Sequence, residues 1–167
     1  MRLQNPFAAL SPTGLDSQVL LVPARVDAEL TVLRIHALIP EEGSLPGIRI
    51  AAKRLADQGV LNQRVIPRVH LYALNREHLL VEFICAIADT RQGLIDRIRA
   101  MISAWCLQPS TAKLFGSAAR NDMRSDSDID LLFVFRDGVE EEGLDLSGAL
   151  ADTIRAWTGN DVRPLVY

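Results

Sequence analysis

The chain is short of the residues that build disulfide, zinc and membrane proteins. It has two cysteines, Cys85 and Cys106, in helix-like apolar contexts and without CxxC spacing. That excludes a disulfide framework and predicts buried free thiols in a reducing compartment. His36, His70 and His78 are the only histidines. None stands at ligand spacing from a cysteine or another histidine, so all three are expected at surfaces or interfaces and no zinc site is expected. No apolar run approaches the ~20 residues of a membrane span. The opening MRLQNPFAALSPTG has neither the sustained apolar core nor the small-residue cleavage site of a signal peptide. A cytoplasmic protein with no membrane partner is the expectation.

What is present is a globular composition, 49% hydrophobic and 23% charged, in 167 residues. That length serves one ordinary domain or two small ones. The net charge of −3 conceals an asymmetry. Ser44 to His78 holds six Lys/Arg against two acids, whereas Thr111 to Tyr167 holds six against eleven. A basic half and an acidic half suggest two modules with different partners.

In the first half, GLDSQVLLVPARV has helical spacing at Leu15, Val19, Val22 and Val26, with Pro23 expected to kink or shorten the helix. ELTVLRIHALIP predicts a helix capped by Thr31, burying Val32, Ile35 and Leu38 or Ile39, and stopping at Pro40. A third helix begins after a Ser44 cap with Pro46 in its first turn and ends at Gly59. It turns Ile48, Ala51, Ala52 and Leu55 inward and leaves Arg49, Lys53 and Arg54 outside. VLNQRV and VHLYAL follow as strands joined through IPR, where a glycine instead of Pro67 would make a tighter turn. Three helices and a basic hairpin in this order, over residues 13–76, resemble a winged helix-turn-helix domain. The resemblance rests on element order and the TVLRIHALIP…GSLPGIRIAAKRLADQGV rhythm. It implies DNA as a partner, met by Arg49, Lys53 and Arg54 from the third helix and by Arg64, Arg68 and His70 from the wing. Such phosphate contacts give affinity with little sequence information. A solvated basic face on a protein-docking module is the alternative.

Residues 77–105, NREHLLVEFICAIADTRQGLIDRIRAMISAWC and its surroundings, form a long helical pattern with Gly93 as a possible break. It is too apolar for a free linker. It must pack on one or both domains or on a second copy, and a homodimer through this segment is expected.

Residues 106–167 hold the chemistry. AKLF reads as a strand, Gly116 and Ser117 break it, and SAAR begins a helix whose first amides can cradle phosphate. DIDLLFVF is then a strand, with Asp128 and Asp130 on one face because side chains alternate. Two buried like charges are costly unless a cation joins them, and Mg²⁺, or Mn²⁺, is the oxygen-seeking choice. A phosphate cradle facing a metal-binding carboxylate pair suits nucleotidyl transfer. GSAAR…SDIDL resembles the GSxAR…SDIDL signature of the minimal nucleotidyltransferases of the polymerase-β superfamily, relatives of the aminoglycoside nucleotidyltransferases, over about residues 96–167. The resemblance implies that Gly116 and Ser117 bind nucleotide phosphates and that Asp128 and Asp130 are the catalytic metal ligands. It also implies that Arg120 assists with the triphosphate and that ATP or another nucleoside triphosphate is the substrate.

The resemblance has departures. Aligning VRPL on the family's last strand puts Arg163 where a third carboxylate belongs, and arginine is no base at neutral pH. Asp161, two residues earlier, is the alternative acid. Asn121 replaces a glycine common after the arginine. RDGVEEEGLDLSGALADTIRAWTG predicts a polar loop containing Glu140 to Glu142, then a helix with Leu150, Ile154 and Trp157 inward, ending at Gly159. The apolar strand ending at Tyr167 suggests a domain truncated at its C-terminus or covered by a partner.

The expected fold is α/β (α+β): an N-terminal winged helix-turn-helix, a long connecting helix, and a C-terminal nucleotidyltransferase fold with a small mixed sheet. Two functions compete. One is Mg²⁺-dependent transfer of AMP from ATP to a hydroxyl of a protein or small molecule, in an antitoxin-like setting where, by resemblance, the partner is a HEPN-type toxin. The other is a non-catalytic DNA-binding regulator with a degenerate, nucleotide-sensing transferase domain.

Overall fold

The computed structural model describes residues 1–10, 14–124 and 126–167, and leaves the side chain of Glu140 aside. The chain forms two compact units, one from Asn5–Thr90 and one from Met1–Gln4 together with Arg91–Tyr167.

The first unit opens with a short 3₁₀ turn at Pro6–Ala9, then α1 (Leu15–Arg25) with Pro23 near its end. A two-residue strand β1 (Leu30–Thr31) leads directly into α2 (Val32–Leu38). Thr31 caps α2, its Oγ1 accepting the Arg34 N–H at 3.1 Å. Ser44 does the same for α3 (Leu45–Asp57), accepting from Gly47 at 3.2 Å, with Pro46 in the first turn. Ile35, Ile48, Ala51 and Ala52 are buried against Val19, Leu21 and Val22 of α1. Two strands, β2 (Leu61–Ile66) and β3 (Val69–Leu74), close the unit as an antiparallel hairpin, and β1 joins the free edge of β3 with Leu30 opposite Tyr72. The hairpin turns at Pro67–Arg68, where Arg68 adopts φ +66°. Pro67 presets its own φ, and the burden of the turn's left-handed residue falls on the arginine.

The expected long connecting helix is two consecutive helices, α4 (Val81–Ala88) and α5 (Thr90–Ser103). The break is at Asp89 instead of Gly93. At the break the Thr90 hydroxyl donates to the carbonyls of Ile87 (2.7 Å) and Ala86 (3.3 Å). Ile84 and Ala88 complete the first unit's core, whereas Leu94 and Ile98 belong to the second.

The second unit runs β4 (Thr111–Phe115), α6 (Gly116–Arg120), β5 (Ile129–Val134), α7 (Glu140–Thr158) and β6 (Val162–Val166). β5 is central, antiparallel to β4 and parallel to β6, so the small sheet is mixed as expected. The parallel pair needs a crossover, which α7 supplies. Burial alternates along β5: Ile129, Leu131 and Phe133 face a core with Leu150 and Ile154 of α7 and Leu94 and Ile98 of α5. Trp105 lies against Phe133 and Phe135, with centroids 5.6 and 6.5 Å away. Gly143 in the first turn of α7 makes room for Phe135, whose ring a Cβ there would meet at 2.6 Å.

Several local expectations are corrected. Glu140–Glu142 start α7 instead of forming a loop, in keeping with the preference of acids for a helix N-terminus. Trp157 is 38% exposed and lies beneath the Arg97 guanidinium at 5.4 Å. The thiols are free, but Cys85 is half-buried and Cys106, in the turn after α5, is exposed. The N-terminal tetrapeptide is also structural: Leu3 is buried in the second unit's core, and the Met1 amine donates to Asn160 Oδ1 at 2.6 Å. Among the described residues no helix is long and apolar enough to cross a membrane.

Candidate functional site

The site is built where β4, β5 and β6 lie side by side. Asp130 on β5 is in register with Phe115 on β4 and with Arg163 on β6. Its position on the strand opposes that of the core residues Ile129 and Leu131, so it stands, half-buried, on the other face of the sheet. Asp128 precedes β5 by one residue and is in phase with Asp130.

The chain leaves β4 through Gly116, at φ +67°. A Cβ at that position would lie 2.1 Å from Asp130 Oδ2. Both facts demand glycine: the backbone conformation is one L-residues rarely adopt, and the carboxylate occupies the space a side chain needs. The first turn of α6 is thus placed directly against Asp130. Ser117 is half-buried, and its carbonyl accepts the Asp122 N–H at 3.2 Å. Ala118 is fully buried and anchors the turn. Asn121, at the position the resemblance would give to glycine, caps α6 at φ +63°. Asparagine is the side chain that best tolerates this left-handed cap, so the departure keeps the geometry. Arg120 is exposed, with Nε 3.2 Å from Asp122.

The loop before Asp128 is pinned at two points. The Met123 carbonyl accepts from Gln4 Nε2 at 2.6 Å, and the Ser127 carbonyl accepts from Asn160 Nδ2 at 2.9 Å. Asn160 is buried and follows α7. It fixes the residue next to Asp128, a role sequence reasoning missed. A lone Asn after a Thr-Gly helix end looks like any C-terminal turn.

Arg163 defines the electrostatics. Its Nη2 lies 2.8 Å from Asp128 Oδ2, with 23% of the Asp128 side chain exposed and 71% of that of Arg163. Asp161, the alternative third acid, is 3.2 Å from Arg155 of α7. Among the described residues no three His, Cys, Asp or Glu gather to hold a metal. Two carboxylates on one face are a donor set that could hold one divalent ion, with phosphate and water as its other ligands.

In the Asn5–Thr90 unit, the structure brings four of the six expected DNA-contacting residues to one groove. Arg49 and Lys53 of α3 with Arg68 and His70 of the hairpin line a cavity of about 510 Å³ floored by Tyr72. Burial raises the Tyr72 hydroxyl above its ordinary pKa. Lys53 also bonds Asp57, one turn along α3, at 2.8 Å. The other two are engaged elsewhere: Arg54 with Asp16 of α1 at 2.5 Å, and Arg64 in a two-pronged pair with Glu29. The hydrogen bond from Arg64 holds the Glu29 carboxyl below its ordinary range.

Residues 99–158 match the family described as nucleotidyltransferase domain. The match spans the C-terminal end of α5, the β4–α6 turn, the aspartates and α7, and stops before β6 and Arg163. It supports nucleotidyl transfer as the general chemistry of this unit. No curated protein and no solved structure matched.

Proposed function

We propose that the chain is a Mg²⁺-dependent nucleotidyltransferase, served equally by Mn²⁺, that moves AMP from ATP to a hydroxyl of a protein or small molecule. The observation that carries the reading is the contact of Gly116 with the Asp130 carboxylate, inside the matched span. It sets a bare glycine turn against an acid suited to a divalent ion. Gly116 and Ser117 receive the nucleotide phosphates through main-chain amides and the serine hydroxyl. Arg120, on the solvent side, exchanges its contact with Asp122 for the triphosphate. Asp128 and Asp130 would hold the divalent ion, which when bound polarises the α-phosphate and offsets charge on the leaving pyrophosphate. Asn160 keeps Asp128 in place through the Ser127 carbonyl.

The Asn5–Thr90 unit is read as a winged helix-turn-helix that binds DNA through Arg49, Lys53, Arg68 and His70. Its element order and shared basic groove support this. Leu79, Leu80 and Phe83 are exposed at the start of α4, which supports a homodimer through residues 77–105. A HEPN-type toxin is the proposed acceptor in an antitoxin-like pairing, and the compartment is the cytoplasm.

The test is incubation of the full chain with α-labelled ATP, Mg²⁺ and the protein encoded beside it. Label should pass to the partner, and Asp128→Ala should abolish it. ATP bound without any transfer would sink the enzyme in favour of the second reading, a non-catalytic DNA-binding regulator that senses nucleotide. The Arg163–Asp128 pair is the observation that favours that reading.

A further inference from the structure

The carboxylate pair already has a cation beside it, and that cation is a side chain. Arg163 is in register with Asp130 on the neighbouring strand, yet its guanidinium reaches Asp128, at 2.8 Å. The nearby Asp161 is paired with Arg155, which balances its charge locally. We propose that Arg163 is the built-in counterion of this site. It takes the place of a second divalent ion, neutralising Asp128 in the free protein and transferring to the phosphates of a nucleoside triphosphate when one binds. The second half of this inference rests on the nucleotide reading of Gly116, Ser117 and Asp130.

The physical case has three parts. A guanidinium stays charged across the whole working pH range, so its positive charge is permanent. Two aspartates and one arginine sum to a single negative charge, and a free divalent ion approaching them meets a fixed like charge at close range. Metal alone should therefore bind poorly, and metal with nucleotide should bind well. Finally, the Arg163 side chain is 71% exposed while that of Asp128 is 23% exposed. The acid is held just before β5, and the arginine is on a flexible stem at the surface. Exchange of its partner needs little desolvation, and a phosphate offers the planar fork a two-pronged acceptor as good as a carboxylate.

The consequence is a site with an unusual order of preference. Nucleotide phosphates should bind through Arg163 and the Gly116–Ser117 turn when metal is removed, and Mn²⁺ should bind weakly when nucleotide is absent. Arg163 acts here as a positioning and charge-balancing residue.

The experiment is titration of the full chain with Mn²⁺, followed by electron paramagnetic resonance of the free ion, in wild type, Arg163→Ala, Arg163→Asp and Arg163→Lys. The exposure of the side chain makes all three variants compatible with the fold, and the lysine variant retains the charge. Alanine and aspartate should each tighten Mn²⁺ by about tenfold or more, whereas lysine should remain near wild type. A parallel titration with a non-hydrolysable ATP analogue in EDTA should show binding to wild type, a loss of about tenfold in Arg163→Ala, and recovery of most of it in Arg163→Lys. Unchanged Mn²⁺ affinity in both the alanine and aspartate variants would overturn the counterion role. Analogue binding to no form, with or without Mn²⁺, would instead overturn the nucleotide reading and with it the transfer to phosphate. The Mn²⁺ comparison would still decide whether Arg163 balances Asp128.

Discussion

A few residues hold left-handed backbone conformations that most L-residues avoid, and those at Gly116 and Arg68 coincide with candidate contacts. Gly116 is the sharpest. Alanine there faces both a left-handed backbone and a carboxylate 2.1 Å away, so Asp130 must move. Gly116→Ala should cost about 1–2 kcal/mol of stability from the backbone alone. Nucleotide affinity should fall by more than that stability loss suggests, because the proposed phosphate cradle and the proposed metal ligand Asp130 are displaced together. Denaturant unfolding alongside nucleotide titration separates the two effects. Arg68 is the counterpart in the hairpin, a non-glycine residue at φ +66° at its turn. Arg68→Gly should stabilise the chain by up to about 1 kcal/mol and at the same time weaken DNA binding. The salt dependence of binding should become shallower by about one unit in log–log slope. Arg64 makes a different prediction. Its hydrogen bond lowers the Glu29 pKa, so the pair's contribution to stability is present above the ordinary carboxylate pKa and is lost as pH falls through the lowered one. A Glu29→Gln variant should flatten that acid limb of the unfolding profile.

Elements with local signals were legible from the sequence, and those fixed by distant contacts were not. The Thr31 and Ser44 caps, the Pro46 start and the hairpin strands were all readable because each is decided within a few residues. Ser44→Ala should cost about 1 kcal/mol, measurable by urea unfolding, since Gly47 loses its acceptor. The β4–α6–β5 core of the site was legible for the same reason: a Gly-Ser break and a period-two run of aspartates are short-range patterns. Three things were hidden. The split of residues 77–105 into two helices falls at Asp89, where the first core ends and the second begins, and no local breaker marks it. Glu140–Glu142 looked like a solvated run because charge alone does not distinguish a loop from a helix start. The N-terminal tetrapeptide has no periodicity at all, and only tertiary packing shows that Leu3 belongs to a core formed more than ninety residues later. Leu3→Ala should destabilise the second unit by about 2–5 kcal/mol. Hydrogen exchange resolved by segment should show the loss in β5 and α7, with β2 and β3 unaffected.

At the scale of the molecule, the charge asymmetry in the sequence maps onto two units with different surfaces. The basic groove of Arg49, Lys53, Arg68 and His70 belongs to Asn5–Thr90, and the aspartate site belongs to the other unit. Retardation of promoter DNA by the full chain should weaken steeply with salt, because phosphate contacts release counterions. An absent or salt-insensitive shift would count against the DNA reading of that groove. The surface at Leu79, Leu80 and Phe83 makes a separate prediction. Phe83→Glu should convert a dimer to a monomer in sedimentation, with the unfolding midpoint of the second unit unchanged.

The central claim is that Gly116, Ser117, Asp128 and Asp130 form one nucleotide site. Its most direct test is calorimetric titration of the full chain with a non-hydrolysable ATP analogue in Mg²⁺, in wild type, Gly116→Ala and Asp130→Asn. The account predicts saturable binding to wild type and a loss of about tenfold or more in each variant, an effect of some 1.4 kcal/mol. Equal binding by all three proteins, or none by wild type, would contradict it.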